Sequence, residues 1–345
     1  MYRADSELAE AAAVAQILLK GPVDAIDQIR GGRNSRVYRV CRGGESFAVK
    51  HYPPPDHDSR DRLKTEFEAL LFMERHGISA VPRPLAIDPE HRYALLSWID
   101  GDAIEVAAES DIDLAAGFLA ALHGLVRVAD SEGQPLGAEA CLSGTEIVAQ
   151  LGRRLARLGC VAGAEPDLTE LLDRIADFLF STVLPKVTAD YRLLGLSFAR
   201  PLPTGSRSLC PSDFGFHNAL RGAAGLTFID FEYFGWDDPV KLTCDFLLHP
   251  GMRLPSGLKQ RFLQATLHIY GTDPTFAARL RMLYPLFALR WCLILLNEFL
   301  PERWAYRLHA GETPDWQKAK ERQLALASEL LACAQSNGGS LFYGQ

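Results

Sequence analysis

The chain has 345 residues, more than one hydrophobic core usually serves, so two domains or two lobes are expected. Hydrophobic residues at 48% leave ample material for those cores, and a net charge of −7 argues against a nucleic-acid binder, which would carry a basic face. Seven scattered cysteines with no Cys-x-x-Cys pair argue against a zinc site or disulfide framework and point to reduced thiols in a cytoplasmic protein.

Met1–Lys20 lacks the basic and then apolar run of a signal peptide. Asp5–Leu19 reads instead as a helix, with Leu8, Ala12, Ala15 and Leu19 near helical spacing. Between Ile26 and Tyr52 the pattern is β: Val37–Val40 and Phe47–Lys50 flank Gly43-Gly44, the signature of a hairpin. A helix follows from about Arg60 to Arg75, with Leu63, Phe67, Leu70 and Leu71 on one face, and stops at His76-Gly77. Pro82 and Pro84 open an extended connection, and Tyr93–Ile99 reads as a buried strand ending at Asp100-Gly101. Beyond it the pattern is helical over 114–128, 145–158, 168–183, 258–270, 276–299 and 316–334, interrupted by a β-rich island at 208–232. The apolar run Leu283–Leu296 contains Pro285 and Arg290 and is too short to span a bilayer, so a buried helix and no membrane are expected. The expected fold class is α+β: an antiparallel-sheet lobe over residues 1–99, a hinge near 98–102 and a mainly helical lobe over 100–345.

Within the β-rich island, Asp213 and Asn218 stand five positions apart, and Asp230 follows twelve residues later in the apolar run Phe228–Glu232, read as a short strand. An Asp-x-x-x-x-Asn loop followed by a strand and Asp is the pattern of a kinase catalytic loop and its metal-binding aspartate. Phosphoryl transfer needs these residue types. A carboxylate must orient the acceptor hydroxyl and take its proton, which suits Asp213. Magnesium prefers hard oxygen ligands, which suits Asn218 and Asp230. Lys50 closes an apolar strand, where it can reach nucleotide phosphates, and Glu66, sixteen residues on, is its expected partner. Glu68 lies about 200° around the helix from Glu66 and cannot face the same lysine. Gly31-Gly32-Arg33-Asn34-Ser35 stands where a glycine-rich, phosphate-covering hairpin should, without the Gly-Lys-Ser/Thr of a Walker A loop.

These motifs, with Val81-Pro82, Leu95–Gly101, Ala121-Leu122-His123, Gly235–Pro239 and Asp245, resemble the aminoglycoside phosphotransferase family, a pattern shared with choline, homoserine and methylthioribose kinases. The resemblance covers roughly residues 25 to 250 and implies a two-lobed protein-kinase-like fold. It also implies ATP and Mg2+ as cofactors, phosphoryl transfer to a hydroxyl of a small molecule, and a hinge backbone at Trp98–Ile99 holding adenine. An aminoglycoside, a sugar, an amino alcohol or a nucleoside all fit as acceptor. Two positions depart from the family: Pro211-Ser212-Asp213 replaces His-Gly-Asp, and Phe214–His217 replaces Leu-His-x-Gly before Asn218. The lost histidine leaves a second reading, a pseudokinase that binds nucleotide or a partner without turnover. A nicotinamide dehydrogenase is disfavoured because no strand–Gly-x-Gly-x-x-Gly–helix unit is present.

Other features read as structural. His123 is expected in a hydrogen-bonded core position, His217 in loop packing, Asp245 as an anchor of the catalytic loop, and Phe287 and Trp291 in the core. The acidic run Asp100, Asp102, Glu105, Glu109, Asp111 and Asp113 reads as a solvated loop and helix start; the sharper alternative is a negative rim that draws in a cationic acceptor.

Overall fold

The computed structural model describes residues 2–29, 35–53, 61–304 and 315–337. In chain order the elements are α1 Tyr2–Leu19, β1 Ala25–Ile29, β2 Arg36–Arg42, β3 Glu45–His51, α2 Arg62–Arg75, β4 Pro84–Asp88, β5 Tyr93–Ser97 and β6 Asp102–Ala103. Then come α3 Glu109–Gly124, α4 Gly144–Ala162, α5 Pro166–Asp177, α6 Leu184–Leu193, β7 Ser208–Cys210, β8 Ala219–Gly222 and β9 Gly225–Phe228. The chain finishes with β10 Gly235–Asp237, α7 Pro239–Leu248, α8 Ser256–Ile269, α9 Phe276–Leu295 and α10 Trp316–Asn337. The chain forms two compact units, one of Met1–Val106, Arg127–Ala138 and Pro211–Gly235, the other of Ala107–Val126, Glu139–Cys210 and Trp236–Gln345.

The first unit is built on a five-stranded antiparallel sheet in the order β1-β2-β3-β5-β4. Gly43 and Gly44 join β2 to β3 with φ of +58° and +82°, the doubly left-handed turn whose twist matches a hairpin. Alternating residues of the strands (Tyr38, Val40, Val49, Tyr93, Leu95) bury against Ala11, Val14 and Ala15 of α1. Each such large side chain removed from water contributes about 1.5–3 kcal/mol before conformational entropy is subtracted. Helix α2 starts at Asp61, whose carboxylate accepts the Lys64 N–H, and stops at Gly77 with φ +76°. Its buried stripe is Leu63, Glu66, Ala69, Leu70, Phe72 and Met73, so Phe67 and Leu71 lie at the margin of the face expected from their spacing. A second, three-stranded sheet, β6-β8-β9, completes this unit.

The second unit is mainly helical. Helix α9 is apolar nearly all round, and Leu280, Leu286, Phe287, Leu289, Cys292 and Leu293 are fully buried. By length and composition Phe276–Phe299 could cross a membrane, but 61% of its apolar window is buried inside the protein, which makes it a core helix. Its buried Arg290 is paired: the guanidinium donates to Asp245, Glu139 and Gln150 at 2.9, 3.0 and 3.1 Å.

Several expected boundaries shift. The helix expected over 168–183 does not stop before Pro185. Phe178–Val183 widens into a π-turn, which accommodates Pro185, and the chain continues as α6 with that proline in its first turn. The strand expected over Tyr93–Ile99 ends at Ser97, and that expected over Phe228–Glu232 ends at Phe228, because Asp230 adopts φ +69° and turns the chain. The acidic run is not uniformly solvated. Asp111 is buried and accepts the Ala108 N–H at 2.6 Å at the start of α3, while Asp113 and Glu109 pair with Arg261 at 2.7 and 2.8 Å. Asp245 bonds Arg290 and Trp291 at 2.9 and 2.8 Å, which ties α7 to α9. His123 is half-buried; it accepts or donates at Ser208 Oγ across 3.3 Å, as a hydrogen-bonded histidine was expected to, and meets Tyr270 edge-on.

Candidate active site

All of the described candidate residues fall in the first unit. Lys50 occupies an inward position near the end of β3 and is 7% exposed. Its Nζ donates to Glu66 Oε2 at 2.6 Å and to Asp230 Oδ1 at 2.7 Å. Burial alone would lower the ammonium pKa, but the Asp230 and Glu66 charges outweigh it and raise the pKa well above the ordinary lysine value. Glu66 is placed by α2 itself, one turn from Leu63 and from Leu70 in the buried stripe, and is 2% exposed. Glu68 points elsewhere and lies 3.8 Å from Lys64 on the exposed face. The Glu66 carboxylate takes two further donors, Tyr52 Oη at 2.7 Å and the Phe231 N–H at 3.3 Å. Three donors on one buried carboxylate fix its rotamer and, through it, the lysine.

The loop after β7 presents Asp213 and Asn218. Asp213 Oδ1 lies 3.0 Å from His217 Nε2, so His217 engages the candidate base directly and does more than pack. The Asn218 side-chain amide donates to the Asp213 carbonyl at 3.0 Å, so the acceptor atom of this candidate ligand is its Oδ1. The Ile229 N–H donates to the Asn218 carbonyl at 2.9 Å, stitching the loop to the segment that carries Asp230. Oxygen donors of Glu66, Asp230 and Glu232 lie within 4.8 Å of one another. Carboxylate oxygens are hard donors of the kind that suits a magnesium ion.

Of the expected phosphate-covering residues, Gly31, Gly32 and Asn34 lie outside the described residues. Ser35 is buried and its hydroxyl donates to Glu232 Oε2 at 3.3 Å. Trp98 and Ile99 follow β5 outside any helix or strand; the Trp98 Nε1 donates to Asp100 Oδ1 at 2.9 Å and the Arg39 guanidinium lies 4.8 Å over the indole.

The sequence reading missed Tyr52, Arg62 and Glu232. Tyr52 stands two residues beyond Lys50, on the same side of an extended chain, a signal that strand alternation carries. Glu232 is fully buried; its Oε1 accepts from Arg62 Nη1 at 2.8 Å. Burial and the Asp230 charge, opposed by Lys50 and Arg62, push its carboxyl up to about 7.

Residues 25–283 match the phosphotransferase enzyme family. The chain belongs to that family. This phosphotransferase is therefore a small-molecule kinase that acts on hydroxyl groups, built on the protein-kinase-like fold. No curated protein matches its sequence. Solved structures with the same fold include the choline kinase of Cryptosporidium parvum Iowa II, at 11% identity and a TM-score of 0.57, with 91% of this chain and 90% of that one covered. The complex of gentamicin with APH(2")-IIa is similar at 16% identity and a TM-score of 0.59, with 93% and 96% covered. A putative fructosamine-3-kinase from Thermobifida fusca YX-ER1 is similar at 19% identity and a TM-score of 0.53, with 92% and 98% covered.

Proposed function

We propose that the protein transfers the γ-phosphoryl group of ATP, bound with Mg2+, to a hydroxyl of a small molecule in the cytoplasm. The observation that carries this reading is the Lys50 ammonium, held by Glu66 on one side and by Asp230 on the other. A buried cation pinned beside a candidate metal ligand suits the junction of phosphates and metal. In this reading residues 1–99 form the nucleotide-binding lobe and residues 100–345 bring the catalytic loop and the acceptor site. Gly31, Gly32, Asn34 and Ser35 cover the phosphates, and the backbone at Trp98–Ile99 holds adenine.

Asn218 and Asp230 would hold the metal, which when bound would neutralise charge on the phosphate oxygens. Asp213 accepts a hydrogen bond from the acceptor hydroxyl and aims its lone pair at the γ-phosphorus. As the new P–O bond forms, the bond to the β-phosphate oxygen breaks, ADP leaves and the hydroxyl proton passes to Asp213. Lys50 stays paired with Glu66 and steadies the phosphates.

A choline kinase and a gentamicin complex among the similar structures, and the acid excess of this chain beyond residue 100, favour a cationic acceptor. The deciding experiment is ATP consumption with Mg2+ against aminoglycosides, sugars, amino alcohols and nucleosides, with Asp213→Asn as control. Turnover with one class, lowered about 10²-fold or more in the variant, supports the reading. Equal turnover in the variant removes Asp213 from its role. The second reading, a pseudokinase, is favoured by Pro211-Ser212 where the family has His-Gly; it predicts ATP binding without consumption of any acceptor.

A further inference from the structure

Ser212 stands immediately before Asp213 with φ +70°, a left-handed backbone that a side chain bearing a β-carbon disfavours. The residue is 9% exposed, and its hydroxyl donates at 2.8 Å to the carbonyl of Tyr233, 21 positions along the chain. That carbonyl is itself fixed. It accepts the Ala138 N–H at 3.0 Å, and the chain just beyond it is held at Gly235, where a Cβ would come within 2.6 Å of Pro135–Gly137 backbone atoms. The Tyr233 ring lies under the Arg62 guanidinium at 5.1 Å, and Arg62 is the first residue of the helix that carries Glu66. A line of contacts thus runs from α2, through Arg62 and the Tyr233 peptide, to the hydroxyl next to Asp213.

We propose that Ser212 is a positioning residue: its hydroxyl fastens the loop carrying Asp213 to the segment carrying Asp230, so that the base and the metal ligand share one frame. This rests on the phosphotransferase reading of Asp213. A glycine would adopt the same backbone at no steric cost, so a serine here keeps an unfavourable conformation for which the bond to Tyr233 compensates. The hydrogen bonds that join Asp213 to Pro211, His217 and Asn218 lie within the loop itself, whereas the Ser212 hydroxyl reaches 21 positions along the chain.

The test compares Ser212→Gly and Ser212→Ala with the wild type. ATP consumption is measured with Mg2+ and the best acceptor of the panel or, failing one, with water, alongside thermal melting. Ser212→Gly removes the hydroxyl and relaxes the backbone, so its melting temperature holds or rises while kcat falls about tenfold and KM for ATP stays put. Ser212→Ala keeps the strained backbone, losing a similar factor in kcat and melting lower. A purely structural serine would move melting and activity together, and a Ser212→Gly protein with wild-type kcat overturns the proposal while leaving the phosphotransferase reading intact. A wild type that consumes no ATP overturns the proposed ATP-dependent turnover, and consumption that survives Asp213→Asn removes Asp213 from its role; either takes the positioning role with it.

Discussion

At Lys50 one cation neutralises two carboxylates, and the arrangement is only as stable as its weakest member. Replacing Lys50 by Met would leave Glu66 buried without its ammonium. Removing one partner of a buried ion pair costs about 3–5 kcal/mol, so the urea midpoint of Lys50→Met is expected to fall by that amount divided by the m-value. Tyr52→Phe removes a donor to the same carboxylate; a hydrogen bond to a charged group is worth about 1.5–3 kcal/mol, and the same titration reads it. The strand-end lysine and the choice of Glu66 over Glu68 were both legible in the sequence, because strand alternation and helix angle are local arithmetic. Arg62 and Glu232 were not. They meet across 170 positions, and no spacing rule encodes a partner that distant. Ser212 was visible only as a departure from a family pattern, because its partner Tyr233 stands 21 positions along the chain.

Among the elements, α2 must hold Glu66 in place, and its ends set its register. Gly77 closes it in left-handed backbone with no atom near a would-be Cβ, so Gly77→Ala meets no clash and pays only the conformational penalty. That penalty is about 1–2 kcal/mol, to be read as a lower melting temperature. Glu139, ahead of α4, ties that helix to α9 through Arg154 and Arg290. Burial would raise its carboxyl, but the two guanidiniums bring it down to about 2. The folded value thus lies below the unfolded one near 4.5, so the stabilisation is present above pH 4.5 and is lost as pH falls towards 2. Melting temperature followed from pH 6 to pH 2 should drop less steeply in Glu139→Gln than in the wild type. Most helices and the β2–β3 hairpin could be read from periodicity and glycine pairs. The continuation through Phe178–Val183 into α6 could not, because a proline ordinarily signals a stop and only the π-turn makes it harmless.

For the whole molecule, a ligand that binds only the folded state raises its stability by mass action. ATP with Mg2+ at a hundred times its Kd should add about 2.7 kcal/mol, seen as a higher melting temperature that chelation of the metal reduces. No shift with or without the metal would contradict nucleotide binding altogether. The family was legible because its motifs lie in short contiguous runs, whereas the acceptor was not, because shape and charge assembled from many segments select it. The discontinuity of the first unit bears on how the protein is made. The five-stranded sheet is complete by Ser97, yet Asp230 and Glu232 belong to the same unit and emerge from the ribosome more than a hundred residues later. At roughly 5–20 residues per second, the sheet completed at Ser97 waits about 7–27 s for Asp230 and the partners of Lys50, Glu66 and Arg62. The nascent sheet spends that interval as an unfinished intermediate, and a nascent chain arrested before residue 211 should remain protease-sensitive around α2 until synthesis resumes.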